Sequence, residues 1–286
     1  MRNPVNLRQR LSQSLATLAQ SFSLKGSVFF LLTLGLTVGS AVEANAAPPE
    51  TAPPQIKDTL TQIDAAANRR DLESVLKFYS PSFKNSDGLT STALGQALTK
   101  LWERYPQLTY RTELQSWEND GNAIVAETIT YITGEQSGQG SPMKLASTLR
   151  SRQRYEGQTI VSSEILAEDS QVTSGTNPPT VQVILPEKVR IGQQFAFDVI
   201  VQQPLGDNLL LGTALEEQIT PERYATSPDF ELELLPAGGI FKVGRAPLRA
   251  EPRWVSAVLI WGEGMTTITR RLQIVDSSSS SRNLSR

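Results

Sequence analysis

Apolar residues recur at helical spacing through the first third of the chain. Ile56, Leu60, Ile63 and Ala67 share one face, and the spacing predicts a helix that Asn68-Arg69-Arg70 interrupts. Asp71 can cap a second helix whose apolar face is Leu72, Val75, Leu76 and Tyr79, and Pro81 stops it. Ser86-Asp87-Gly88 reads as a turn. Thr90 to Tyr105 reads as a third helix, with Leu94, Ala97, Leu98, Leu101 and Trp102 on one side and Pro106 at its end. The pattern then changes to alternation. Strands are expected over Leu108 to Trp117, Ala123 to Ile132, Lys144 to Tyr155 and Thr159 to Ala167, with hairpin turns at Asn119-Asp120-Gly121-Asn122 and Glu156-Gly157-Gln158.

Glu168 to Thr180 (EDSQVTSGTNPPT) is polar, rich in turn residues and free of hydrophobic periodicity, which predicts a linker over 168–180. Beyond it, over 181–276, strand-like runs occupy Thr180 to Leu185, Phe195 to Val201, Phe230 to Leu235, Trp254 to Trp261 and Thr266 to Val275. The one helix-like stretch there is Thr220 to Tyr224. The run Trp254 to Trp261 is apolar on both sides, as a buried central strand is, with its two tryptophans as core bulk. The last ten residues, 277–286, are mostly serine and have almost nothing to bury.

The N-terminal pattern differs from both. Arg2, Arg8, Arg10 and Lys25 precede an uncharged, largely apolar run from Val28 to Val42. Ala44-Asn45-Ala46 then offers an A-x-A cleavage site, so residues 1–46 read as an export signal, residues 47–54 as a Pro-rich lead-in, and Ala47 as the first residue of the processed chain. The apolar run contains Gly35 and Gly39 and is short against the ~20 residues of a bilayer span. Membrane attachment is therefore expected only through this segment if it stays uncleaved.

Composition removes whole classes of chemistry. None of the 286 residues is His or Cys. Imidazole or thiolate metal sites, Cys nucleophiles, Ser-His-Asp triads and disulfides are thereby excluded. With 27 basic and 29 acidic residues, interspersed along the chain, the formal net charge is −2, which lacks the basic footprint of a nucleic-acid binder. Phosphate-loop, nucleophile-elbow, dinucleotide and EF-hand spacings do not occur, so no cofactor and no metal is expected. Arg150, Arg152 and Arg154 fall on one face of the third expected strand. They could contact an anion or an acidic partner, or they could pair with Glu127 or Glu164 on neighbouring strands; the two readings separate on whether Arg150 and Arg154 are paired.

The stretch IDAAANRRDLESVLKFYSPSF from Ile63 to Phe83, followed by a Gly-containing turn, a helix and long strands, resembles the opening of the nuclear-transport-factor-2-like (NTF2-like, SnoaL/ketosteroid-isomerase-like) superfamily. The resemblance covers residues 55–167. It implies helices packed on a curved antiparallel sheet that encloses a pocket. Enzymes of that kind use a Tyr and acidic residues deep in the cone, so the resemblance implies Tyr79, Tyr110, Glu127 and Tyr131 as pocket candidates, without assigning any of them a catalytic role. The phrase LPEKVRIGQQFAFDVIV, Leu185 to Val201, resembles the opening of an immunoglobulin-like (Ig-like) or bacterial surface-type sandwich. The expected fold is thus an α+β cone plus a separate all-β Ig-like sandwich.

Signal and domain pairing resemble exported cyanobacterial proteins of the periplasm or thylakoid lumen. The expected function is a non-catalytic binding or assembly module, with another protein or a small apolar ligand as partner and a homodimer through the NTF2-like sheet as a compatible assembly. The alternatives are a small-molecule enzyme (isomerase, dehydratase or hydrolase-like) using the cone pocket, and a structural envelope component.

Overall fold

Helical spacing becomes three α-helices in the computed structural model, which describes residues 46–136, 142–206, 209–226, 229–262 and 264–276. Helix α1 (Pro54–Asn68) starts on a proline, whose missing N–H costs nothing at that position. Helix α2 (Leu72–Leu76) is capped by Asp71, whose carboxylate accepts from the Ser74 N–H at 3.0 Å. Helix α3 (Ser91–Arg104) is capped by Thr90 Oγ1, which accepts from the Ala93 N–H at 3.2 Å. The second helix is shorter than its apolar spacing predicts. Tyr79 begins strand β1 (Tyr79–Asn85) instead, because Pro81 favours extended backbone at the residue before it.

Four long antiparallel strands follow: β2 (Gln107–Asp120), β3 (Ala123–Gln136), β4 (Met143–Glu156) and β5 (Thr159–Gly175). The tight turns between β2 and β3 and between β4 and β5 contain Gly121 and Gly157, each at φ 64°, a left-handed conformation that glycine adopts without a Cβ clash. The second part contributes β6 (Val181–Ile184), β7 (Lys188–Arg190), β8 (Gln194–Val201), β9 (Leu210–Gln218), β10 (Glu233–Leu234), β11 (Gly239–Arg245), β12 (Arg253–Trp261) and β13 (Gly264–Val275). A 3-10 turn spans Pro221–Ala225.

The expected separation into a cone and an independent sandwich is not what the chain forms. One ten-stranded sheet, in the order β10-β9-β12-β13-β5-β4-β3-β2, runs through both parts, with β1 beside β5 and β7 beside β13. The molecule is mostly β. Strand β5 makes the junction: its beginning lies parallel to β1, and its end pairs antiparallel with β13, from Asp169 opposite Arg270 to Gly175 opposite Gly264. Residues 168–175 of the expected linker are therefore the second half of a 17-residue strand, hydrogen-bonded on both sides. Its polar composition concealed it, because its side chains meet polar neighbours: Ser170 bonds Ser147 at 2.7 Å and Asp169 pairs with Arg270 at 2.8 Å.

A smaller sheet, β11-β8-β6, packs on the second part of the large one. Phe195, Phe197, Val199, Leu259, Trp261 and Leu272 are among the buried residues between them. Two further cores lie under the helices. One gathers Ala66, Val75, Trp102 and Tyr110, the other Ile56, Leu60, Phe83 and Tyr155. The expected export signal and serine tail fall mainly on residues 1–45 and 277–286, outside the described residues. Among the described residues no helix is long and apolar enough to cross a membrane.

Candidate functional site

Strand β2 ends the large sheet, so half of its backbone groups face away from β3 and need partners. Helix α1 supplies them. Asp64 and Asn68, one turn apart, meet alternate residues of β2. The Asn68 side chain donates to Tyr110 O at 3.0 Å and accepts from Tyr110 N at 2.7 Å. The Asp64 carboxylate accepts from Thr112 N at 2.6 Å and from Thr112 Oγ1 at 2.7 Å. This bonding holds α1 across the mouth of the curved sheet, and the space beneath it is not filled.

That space is a partly enclosed cavity of about 180 Å³. Its walls are mainly aliphatic and aromatic, including Leu60, Ile63, Leu98, Ile132 and Leu149, and among the described residues Asp64 is the one charged side chain lining it. Tyr110 and Tyr79 contribute phenols. Tyr110 Oη accepts from Trp102 Nε1 at 2.9 Å. Tyr79 packs edge-on to Phe83, ring centroids 4.9 Å apart, and its hydroxyl has no hydrogen-bond partner among the described residues. Burial pushes the Tyr79 phenol up to about 12, and the negative Asp64 adds to the shift. Burial likewise raises Tyr110 to about 12, against a smaller opposing effect of the Trp102 hydrogen bond. Both are neutral hydroxyls at ordinary pH.

Only part of the expected constellation is brought together. Tyr79 and Tyr110 line the cavity. Glu127 and Tyr131 do not. On β3 it is Thr130 and Ile132 that face the cavity, so strand alternation sends the odd-numbered neighbours to the opposite face. There Tyr131 stacks under Arg111, 4.3 Å from ring centroid to guanidinium carbon, and its hydroxyl donates to Glu113 at 3.4 Å. Glu127 accepts from Arg152 Nε at 3.1 Å. Arg150, Arg152 and Arg154 share that outer face, and each has an acidic partner. Arg150 pairs with Glu187 at 3.2 Å, Arg152 with Glu127 and, at 3.7 Å, Glu164, and Arg154 with Asp120. Asp64 is the cavity residue that the sequence reading omitted. Its signal was available: an acid four residues after Leu60, three before Ala67 and next to Ile63, on or beside the apolar stripe of α1 rather than opposite it.

A second polar cluster ties the two parts of the chain together. Arg271, on β13, donates to Asp87, in the turn before α3, from Nη1 at 2.9 Å and from Nη2 at 2.6 Å, and both side chains are 0% exposed. The Tyr224 hydroxyl also donates to Asp87. Glu168, on β5, accepts from Trp254 Nε1 at 2.9 Å and lies 3.6 Å from Arg271. In the sequence Asp87 reads as part of an ordinary turn, and Arg271 belongs to no motif. The clue was an arginine inside an otherwise half-apolar strand, which has to find an acid when it is buried.

Burial raises the Glu168 carboxyl above its ordinary 4.5, with Arg271 and the Trp254 hydrogen bond opposing. The folded protein then keeps this proton over a range in which the unfolded chain has lost it. Stability from this group is complete below about 4.5 and is lost as pH rises through the raised value. Glu168→Gln, which keeps an acceptor for Trp254, is expected to flatten that part of the profile, read as urea midpoints measured across the range. Equal slopes in the two proteins would show that Glu168 does not hold the proton.

Comparison with known proteins adds little about chemistry. No curated protein sequence matches the chain at a significant level. Bd1075 of Bdellovibrio bacteriovorus is a structural neighbour at 14% identity and TM-score 0.28, covering 38% of this chain and 38% of its own. An epoxide hydrolase of the LEH-like kind from M. tuberculosis matches at 9% identity and TM-score 0.27, over 39% of this chain and 80% of its own. A hypothetical protein with a ketosteroid isomerase-like fold from Catenulispora acidiphila matches at 11% identity and TM-score 0.28, over 38% and 83%. The neighbours are thus folds of the NTF2/ketosteroid-isomerase kind, over little more than a third of the chain. Residues 176–275 are similar to the family described as Domain of unknown function DUF8623.

Proposed function

We propose that this protein is an exported, non-catalytic binding module of an extracytoplasmic space, periplasm or thylakoid lumen, and that its first part holds a small, largely apolar molecule. One observation carries the reading: the cavity of about 180 Å³ beneath α1, walled by Leu60, Ile63, Leu98, Ile132 and Leu149. Engineered cavities of about 150 Å³ with comparable walls take up benzene, so this volume suits a single ring or a short branched chain and is too small for a polycyclic molecule. Polar groups at a few points of an apolar wall are the usual composition of a small-molecule site.

Benzyl alcohol is a probe of the right size. It is expected to shift the amide resonances of Leu60, Leu98 and Thr130 in a saturable way, and Leu98→Trp, which fills the space, is expected to abolish the shifts. Saturable binding that survives Leu98→Trp, or no binding of any single-ring probe, would sink the reading. Export is checked separately. Protein isolated from its native host is expected to begin at Ala47, and a chain that still begins at Met1 would refute processing.

A further inference from the structure

We propose that the molecule held under α1 is a compact organic cation, an ammonium group carried on one ring or on a short branched chain, with Asp64 as its anchor. The proposal rests on the reading of the cavity as a binding site and names the ligand class.

The charge of the cavity is one-sided. Among the described residues Asp64 is its only charged lining residue, and no Lys or Arg lines it. None of the ion pairs among the described residues involves Asp64. Its hydrogen bonds come from one residue, the N–H and Oγ1 of Thr112, one to each carboxylate oxygen. A carboxylate has about four acceptor positions, so about two are still open after the sheet edge has been capped. Elsewhere in the structure the fully buried carboxylate of Asp87 has a bidentate arginine. Half-buried Asp64 has no counterpart to that arginine among the described residues, and a charge beside apolar walls gains from one.

The surroundings suit an ammonium group better than any other head. Tyr79 stays a neutral phenol, its hydroxyl has no hydrogen-bond partner among the described residues, and its oxygen can accept an N–H. The aromatic rings of Tyr79, Phe83 and Tyr110 line the same space, and such rings attract a cation placed over them. An anionic head would meet Asp64 with nothing to offset the repulsion. A neutral alcohol could donate one hydrogen bond to Asp64 but would leave its charge uncompensated. The aliphatic walls then cover the remainder of the ligand, within the limit set by the volume.

The test uses three probes that share a ring and differ in the charge of the head: benzylamine as its ammonium ion, benzyl alcohol and benzoate, titrated calorimetrically into the full chain near neutral pH. Benzylamine is expected to bind about tenfold more tightly than benzyl alcohol, because a charge-assisted hydrogen bond is roughly twice as strong as a neutral one, and benzoate is expected not to bind. In Asp64→Asn, which keeps an acceptor for Thr112, the preference for benzylamine is expected to vanish while benzyl alcohol still binds. Tyr79→Phe is expected to weaken benzylamine more than benzyl alcohol. Binding of benzyl alcohol with no preference for benzylamine, or an unchanged preference in Asp64→Asn, overturns the cation assignment and leaves the cavity reading standing. Failure of all three probes overturns the cavity reading and this assignment together. The ranking in the unmodified protein needs no variant, so instability of Asp64→Asn would not block the decision.

Discussion

Arg271→Ala is expected to lower the stability of the fold by about 3–5 kcal/mol, the largest effect of any polar substitution in the molecule. The side chains of Arg271 and Asp87 are both 0% exposed and share two hydrogen bonds, so removing the guanidinium strands a carboxylate in a dry site with only the hydroxyls of Tyr224 and, at 3.4 Å, Ser86 left to it among the described residues. Most of the loss comes from that uncompensated charge rather than from the value of the pair. The double replacement Asp87→Leu with Arg271→Met should therefore cost much less than the sum of the single changes, since exchanging a whole buried pair for apolar groups of similar size is often nearly neutral. Urea unfolding of the four proteins measures the coupling. Additive costs would mean that the pair is not isolated from water as its geometry indicates.

Leu272→Ala, one residue further along β13, is expected to cost about 2–5 kcal/mol for a different reason. Leu272 is 0% exposed and belongs to the core between the two sheets, together with Phe197, Val199 and Leu259. Alternation along the strand turns Arg271 to the clamp and Leu272 to the core. The leucine leaves a cavity, whereas the arginine leaves a charge. Leu272→Val should accordingly recover a large part of the loss, while Arg271→Lys should not, because a single ammonium cannot reproduce the bidentate fork on Asp87. Both variants should also unfold the protein in one transition rather than two. Strand β5 pairs with β4 and with β13 at once, so the two parts have no independent sheet to retain. Separate melting of a stable half in either variant would contradict the shared sheet.

Local elements can be read from the amino-acid pattern wherever one face of an element is buried and the other wet. The apolar stripes of α1 and α3, the caps at Asp71 and Thr90, the glycine turns at Gly121 and Gly157 and the strands β2, β3, β4 and β12 were all legible on that basis. Where a strand is polar along its length or lacks clear alternation, the pattern carries no such signal. The second half of β5 read as a linker, β9 and β11 were passed over, and Tyr79 was placed on a helix that ends three residues before it. The alternation that aligned Arg150, Arg152 and Arg154 was visible in advance, together with Glu127 and Glu164 as acids for Arg152, but Asp120 and Glu187 as partners for the other two were not.

Which polar residues meet follows from the three-dimensional packing alone. Asp64 and Thr112 are 48 positions apart, and Asp87 and Arg271 are 184 apart. No periodicity connects residues at such separations. Their meeting depends on β5 continuing past the first part, on β13 returning along it, and on α1 closing the edge of β2. Strand period alone fixes which side of β3 a residue faces, but whether that side is a cavity or a solvated ladder of ion pairs depends on what the rest of the chain packs against it. For that reason Tyr79 and Tyr110 line the cavity, Glu127 and Tyr131 do not, and the carboxylate that faces it is Asp64.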